Sequence, residues 1–491
     1  MSTPFTSTVR RALPLSLLPS LLLSSSAFAE VRLPAIISDH MVLQRAAGVP
    51  VWGWAAPGEE VTVQAGPQRR TVRAAPDGSW RVDLDLRSAP PGPASLSVHG
   101  ASNAIVVDDV LVGEVWLASG QSNMDKPLGV KAGQKPTFDA EAEIAAANHP
   151  DIRLFKVARQ KAAQPGQDVG GKWVRCSPAS IAGTGFSAVA YYFGRRLKEE
   201  LGSPVGLIDS SFGGTRIELW TPSAAMTARD EAPQDPARVK LLGQPSSLYN
   251  GMIAGLAPYA IRGAIWYQGE SNIMDTDDGP AYTAKMEALV SSWRQRWHAD
   301  FPFYYVQVAP HLYSVVRAAR VSHGTESEPL LWEAQAQALR IPGTAMVVTT
   351  DLVDDLRDIH PRAKKPVGLR LANVALARTY GKAGLEAFGP AYRSISFDGG
   401  KAVLSFDHAD GLSARDGKPL DWFEIAGEDG QYHPATAVVD GSRVIVTSPL
   451  VARPRAVRFA WHESAQPNLV NRAGLPAVPF RSEHPVPGDP L

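Results

Sequence analysis

The chain has 491 residues, 44% hydrophobic and 20% charged, with 49 Lys and Arg balanced by 49 Asp and Glu. A formal charge of zero excludes the basic footprint of a nucleic-acid or anionic-membrane binder, and at ~100–200 residues per domain the length implies more than one domain. One cysteine, Cys176, excludes an internal disulfide framework and a cysteine-based metal site, and reads best as a small buried apolar side chain. At the amino terminus, Arg10 and Arg11 lead into an apolar run from Leu13 to Leu23, closed by Ala27-Phe28-Ala29 before Glu30. This is the pattern of an export signal over 1–29. The run falls short of the ~20 apolar residues of a membrane span and contains Pro14 and Pro19. The mature chain is therefore expected to be periplasmic or secreted and without a membrane anchor, by the general or the twin-arginine route.

Residues 30–106 read as a small β domain. Val61 and Val63 alternate with polar residues, Pro76-Asp77-Gly78-Ser79 is a turn, and Trp80, Val82, Leu84 and Leu86 alternate again. Trp52, Trp54 and Trp80 fit core packing better than a sugar-binding platform. From 107 to 384 strands alternate with helices, which predicts parallel βαβ units. The predicted strands are Val115–Ala118, Pro204–Asp209, Ala264–Tyr267, Phe303–Val308 and Ala345–Thr350, five in one sheet. Between them, Val189, Phe193, Leu197 and Leu201 mark one helix, and Tyr282, Met286, Leu289, Val290, Trp293 and Trp297 another. A last helix opens near Pro366, buries Val367, Leu371, Val374 and Ala375, and stops at Gly381. The connection Thr221–Ser247 is too short for an inserted domain. Residues 385–482 return to short strands around 395–397, 403–406, 423–426 and 444–447, with turns at Gly399-Gly400 and Asp440-Gly441. They close with an arm, 467–480, whose apolar residues need cover. The tail, 483–491, reads as disordered.

Every polar, glycine-rich cluster of the middle region follows a predicted strand, so all should gather on one rim of the sheet. Ser119-Gly120-Gln121-Ser122-Asn123-Met124 offers Ser122 as a nucleophile. Gly213-Gly214 and Asn272 offer oxyanion donors beside the Ser122 N–H, although a tight turn and an N-cap would explain them equally. In Asp351–Pro361, Asp358 lies two residues before His360, so in an extended segment its carboxylate reaches the imidazole and fixes the tautomer. Gln121, Arg216, Glu218, Gln268 and Glu270 are polar groups on or near the rim and stand as candidate substrate ligands. For Arg216 and Glu218, a structural ion pair is the equal alternative.

The blocks Gly113–Met124, Gly213–Trp220, Leu248–Met252, Trp266–Asn272 and Asp358–Pro361 together resemble the sialate O-acetylesterase-like carbohydrate esterases, a branch of the SGNH hydrolases. Leu43-Gln44, Val51-Trp52-Gly53 and Asn471–Pro476 extend the resemblance over nearly the whole mature chain. It implies a three-layer α/β/α catalytic domain with a parallel sheet, flanked by amino- and carboxyl-terminal β-sandwich-like domains. It also implies Ser122 as nucleophile, His360 as base and Asp358 as its orienting acid, with Asp354 and Asp355 as fallbacks. Gly214 or Gly213 and Asn272 would complete the oxyanion hole, with no metal or cofactor. Gln121 stands where many SGNH members carry aspartate, and one residue rather than two separates acid from histidine. The expected activity is removal of O-acetyl groups from carbohydrates, of the sialate type. Acetyl esters of plant polysaccharides (xylan, xyloglucan, pectin) are the alternative substrates, and a non-catalytic carbohydrate-binding protein is the reading from another class.

Overall fold

A computed structural model describes residues 1–2, 30–90, 92–226, 243–276, 278–316 and 321–487. All but the first two residues of the expected export signal, most of the Thr221–Ser247 connection and the last four residues lie outside them.

The amino-terminal strands are β1 (Val42–Gln44), β2 (Val49–Trp54), β3 (Glu60–Ala65), β4 (Gln68–Arg73), β5 (Ser79–Leu84) and β6 (Ala94–His99). The antiparallel pair β2–β5 packs with the antiparallel set β4-β3-β6 around a core of Val61, Val63, Val82, Leu84, Leu96 and Val98. Trp52 and Trp80 are buried, and the guanidinium of Arg32 lies 5.1 Å above the Trp54 ring. These tryptophans supply packing area rather than a platform.

The next strand, β7 (Ala104–Gly120), corrects the expected boundary at 106/107, because it runs through it unbroken for 17 residues. Its first half pairs with β6 antiparallel, and its second half lies at the centre of a parallel sheet. That sheet contains β8 (His149–Lys156), β9 (Trp173–Cys176), β10 (Val205–Ser211), β11 (Gly263–Tyr267), β12 (Phe303–Val306) and β13 (Thr344–Val347), in the order β13-β12-β11-β7-β10-β8-β9. Five strands were expected; β8 and the antiparallel edge strand β9 are additional. All seven residues of β10 and all five of β11 are buried, as a sheet covered on both faces requires.

Helices cover both faces. They are α1 (Ser122–Asp125), α2 (Ala140–Ala145), α3 (Pro178–Thr184), α4 (Ala188–Leu201), α5 (Glu270–Thr276), α6 (Tyr282–Trp297), α7 (Ser327–Gln337) and α8 (Lys364–Arg378). Alternate residues of β7 point to opposite faces: Trp116 and Ala118 join a core with Phe193 and Leu371, while Val115 and Leu117 join one with Trp266, Trp293 and Trp332. Gly368 lets α8 approach α4, since a Cβ there would lie 2.7 Å from that of Tyr192. Cys176 is buried, and burial pushes its thiol up to about 12.

Beyond α8 the chain forms two four-stranded antiparallel sheets. One orders β14 (Ala391–Asp398), β15 (Lys401–Asp407), β20 (Arg443–Thr447) and β19 (Thr436–Asp440); the other orders β18 (Tyr432–Pro434), β17 (Phe423–Ala426), β21 (Ala456–Phe459) and β23 (Phe480–Arg481). A small pair, β16 (Ser413–Ala414) and β22 (Leu469–Val470), completes the region. Tyr392 of one sheet stacks on Phe480 of the other at 4.4 Å. The arm buries Leu469, Val478 and Phe480 and leaves Leu475 half-buried. Glu483 accepts a hydrogen bond from the Tyr432 hydroxyl and Val486 is buried, so the packed chain continues past the expected boundary at 482.

Candidate active site

The chain leaves β7 toward β8, β9 and β10 on one side and then returns to β11, β12 and β13 on the other, so the strand order reverses at β7. The crevice at the carboxyl ends of β7, β10 and β11 is where open α/β sheets hold their ligands. Backbone bonds lock the three ends together: Gln121 N–H donates to Tyr267 O at 3.0 Å, and Phe212 N–H to Gly120 O at 3.0 Å. Ser122 opens α1 there, with 8% exposure, where backbone N–H groups lack helical acceptors. Gly213 lies directly against it, for a Cβ at Gly213 would sit 3.2 Å from the Ser122 Cβ. Gly214 is exposed at φ +71°, and Thr215 Oγ1 closes the turn on Phe212 O at 2.7 Å.

Asn272 is not free to serve as the expected oxyanion donor. Its Nδ2 donates to Glu218 Oε2 at 3.1 Å and Asp278 Oδ2 at 2.6 Å, while its Oδ1 accepts from Ile217 N–H at 3.0 Å and Gln268 Nε2 at 2.7 Å. Both donors and both lone pairs of the amide are thus engaged. The expected substrate ligands are likewise turned inward. Gln121 Oε1 accepts from the Ser271 N–H at 3.1 Å and from Gln268 Nε2 at 3.1 Å, which ties the β7 and β11 loops. Gln268, fully buried, also reaches Thr215 O at 3.1 Å and accepts from the Tyr282 hydroxyl at 2.6 Å. Arg216 pairs with Glu218 at 3.1 Å, and Lys285 bridges Glu218 and Asp278 at 2.7 Å each. Of the two readings for Arg216 and Glu218, the buried ion pair is the one observed. Glu270 accepts from Asn123 Nδ2 through Oε1, and burial pushes its carboxyl up.

The loop before α8 brings His360 to this rim. Asn123, the residue after Ser122, donates from Nδ2 to Ile359 O at 2.9 Å, so the residue following the serine touches the residue preceding the histidine. Asp358 is the carboxylate beside His360. Its Oδ1 accepts the His360 N–H at 2.9 Å and stands 3.8 Å from ring Nδ1, a separation that is long for a hydrogen bond but common in unliganded sites. The fallbacks are committed elsewhere, Asp354 to Arg362 N–H and Asp355 to Arg357 N–H and Lys135. Burial, with the Lys364 and Lys126 ammonium groups, pushes the His360 imidazole down to about 4, against the opposing charge of Asp358. At neutral pH the ring is neutral and able to accept a proton.

Beneath α1 lies a network that the sequence did not announce. Asp125 accepts from Lys156 at 2.9 Å, and Lys156 reaches Asp209 at 2.7 Å, which in turn accepts the Ser187 N–H at the start of α4. Burial alone would raise the Asp125 carboxyl; Lys156 and Lys131 outweigh it and hold it below the usual range. Among the described residues, no group of three or more His, Cys, Asp or Glu is arranged to hold a metal ion.

The fold is similar to that of a carbohydrate acetylesterase from Xanthomonas citri, with a TM-score of 0.82 and 38% identity over 92% of this chain and 99% of that one. A carbohydrate esterase is the class this sheet and rim define. The chain belongs to the family of carbohydrate esterases described as sialic acid-specific acetylesterases, whose sequence profile matches residues 112–377. It is 30% identical to the sialate O-acetylesterases of Homo sapiens and Pongo abelii, over 91% of this chain and 92% of each of theirs.

Proposed function

We propose that the chain is a serine esterase of the SGNH type that removes O-acetyl groups from carbohydrates through Ser122, His360 and Asp358. The observation that carries this reading is the convergence of three segments on Ser122: its own strand end, bare Gly213 against its Cβ, and the His360 loop tied to Asn123. His360 takes the Ser122 proton as Oγ attacks the acetyl carbonyl, and the sugar oxygen leaves with that proton. Water then adds to the acetyl-enzyme with the same base, releasing acetate and restoring Ser122. With Asn272 engaged elsewhere, the oxyanion falls to the backbone N–H groups of Ser122 and Gly213 or Gly214.

The likeness to the sialate O-acetylesterases supports O-acetyl sialic acid as substrate, and the likeness to the Xanthomonas citri enzyme supports acetylated carbohydrates more broadly. Export through the amino-terminal signal is part of the same proposal. The test is hydrolysis of p-nitrophenyl acetate by wild type and Ser122→Ala, followed by acetate release from O-acetyl sialic acid and acetylated xylan. Turnover that disappears in the variant supports the serine mechanism; turnover that survives overturns it. The glycan that yields acetate names the substrate.

A further inference from the structure

Lys364 is the first residue of α8, 1% exposed, four positions after His360. Its Nζ donates to Asn123 Oδ1 at 2.7 Å and lies 5.2 Å from the centroid of the Tyr267 ring. Among the described residues it has no carboxylate at ion-pair distance. A cation at a helix amino terminus opposes the macrodipole, and a buried ammonium without a paired anion costs stability that an apolar residue of similar volume would not. Fold stability therefore does not account for a lysine here.

What it touches does. Asn123 Oδ1 accepts from Lys364, while Asn123 Nδ2 donates to Ile359 O and to Glu270. The lysine thereby sets which way the Asn123 amide faces, and that amide joins the residue after Ser122 to the residue before His360. We propose that Lys364 is a positioning residue of the esterase: through Asn123 it fixes the segment presenting Ser122 against the segment presenting His360. This rests on the serine-esterase reading above.

The charge has a second effect. Burial does most to disfavour a proton on His360; Lys364, Lys126 and Lys131 add to it, and Asp358 opposes them. Lys364 itself is pushed down to about 7 by burial and by Lys126, against Glu270, Asp358 and Asp354, so it carries charge throughout the acidic range. With the lysine charged, the imidazole stays unprotonated as pH falls, at the cost of being a weaker base. Without it, the midpoint rises from about 4, with burial and Lys126 still holding it below the ordinary ~6.5.

The test follows the His360 ring directly, by NMR of protein labelled with [13Cε1]-histidine, the signal being assigned by its loss in His360→Gln. In wild type the ring is expected to remain neutral down to pH 5; in Lys364→Met its midpoint rises, while burial and Lys126 still hold it below 6.5. Alongside, kcat for p-nitrophenyl acetate at pH 8 falls about tenfold or more in Lys364→Met, with KM unchanged. A wild-type midpoint near 6.5, or the same midpoint in both proteins with full kcat in the variant, overturns the proposal. If Lys364→Met does not fold, Lys364→Arg replaces it. The retained charge then keeps the ring neutral to pH 5 while the misplaced amide lowers kcat, and an arginine variant with full kcat overturns the proposal. The titration needs no turnover, so an inactive wild type would defeat the esterase reading and still leave the coupling of Lys364 to His360 to be judged.

Discussion

Two neighbours of Ser122 illustrate how a contact determines what a substitution does. A methyl group at Gly213 would meet the Ser122 Cβ at 3.2 Å, so Gly213→Ala shifts the nucleophile by a few tenths of an ångström without disturbing the core. We expect kcat to fall about tenfold or more while the unfolding curve stays in place. Asn272→Ala should do the reverse. It leaves the Ile217 N–H without its acceptor and removes a donor from both Glu218 and Asp278, at a cost of about 1–3 kcal/mol in urea unfolding. Measuring kcat and stability for both variants separates a residue that shapes the reaction from one that holds the rim. The sequence did not distinguish them, because a glycine pair and an asparagine after a strand carry the same signal whichever way they face. Ser122 and His360 stand out in the sequence because their residue types and their place after predicted strands agree, and the structure brings their two segments to one rim. Lys364 does not stand out, because a lysine at a helix start ordinarily reads as an exposed charge, and only the structure shows it buried.

At the level of elements, the placement of Ser122 depends on how closely β7 meets β11. Gly120 has φ +138°, and a Cβ there would fall 2.1 Å from Tyr267 O. Gly120→Ala is therefore expected to part the two strand ends and lower stability by about 2–4 kcal/mol, read as a drop in Tm with loss of turnover. Most of the parallel sheet could be read from its apolar runs, and its long helices from their stripes. The misses have physical causes. β8 begins His149-Pro150-Asp151 and contains Arg153, which is buried only because Asp109 neutralises it at 2.6 Å, so its hydrophobic pattern is broken. β7 was read at less than a third of its length: its first half alternates, with Val106 exposed and Val107 buried, while its second half is buried throughout and carries Glu114 and Ser119 among its apolar residues. One strand that serves two sheets shows two patterns.

On the scale of the whole molecule, the carboxyl-terminal sheets brace the loops around the site. Glu463 accepts the Ser314 N–H at 2.9 Å, Gln466 Nε2 donates to Val353 O at 3.0 Å, and Arg481 grips Glu333 of α7 at 2.6 and 3.0 Å while stacking on Trp461 at 4.6 Å. Arg481→Ala strands a buried carboxylate and removes a stacked plane, so a loss of about 1–3 kcal/mol is expected in chemical denaturation. The amino-terminal domain is held differently, by β7 itself. At ~3.3 Å per residue, the 17 residues from Ala104 to Gly120 measure about 53 Å along the strand. β7 is thus one continuous backbone with one end among the outer strands, a left-handed residue at Asp109 (φ +56°) and Ser122 just past the other end. Strain placed on the outer strands thus has an uninterrupted peptide path to the segment that presents Ser122, which puts the amino-terminal domain mechanically in series with the rim.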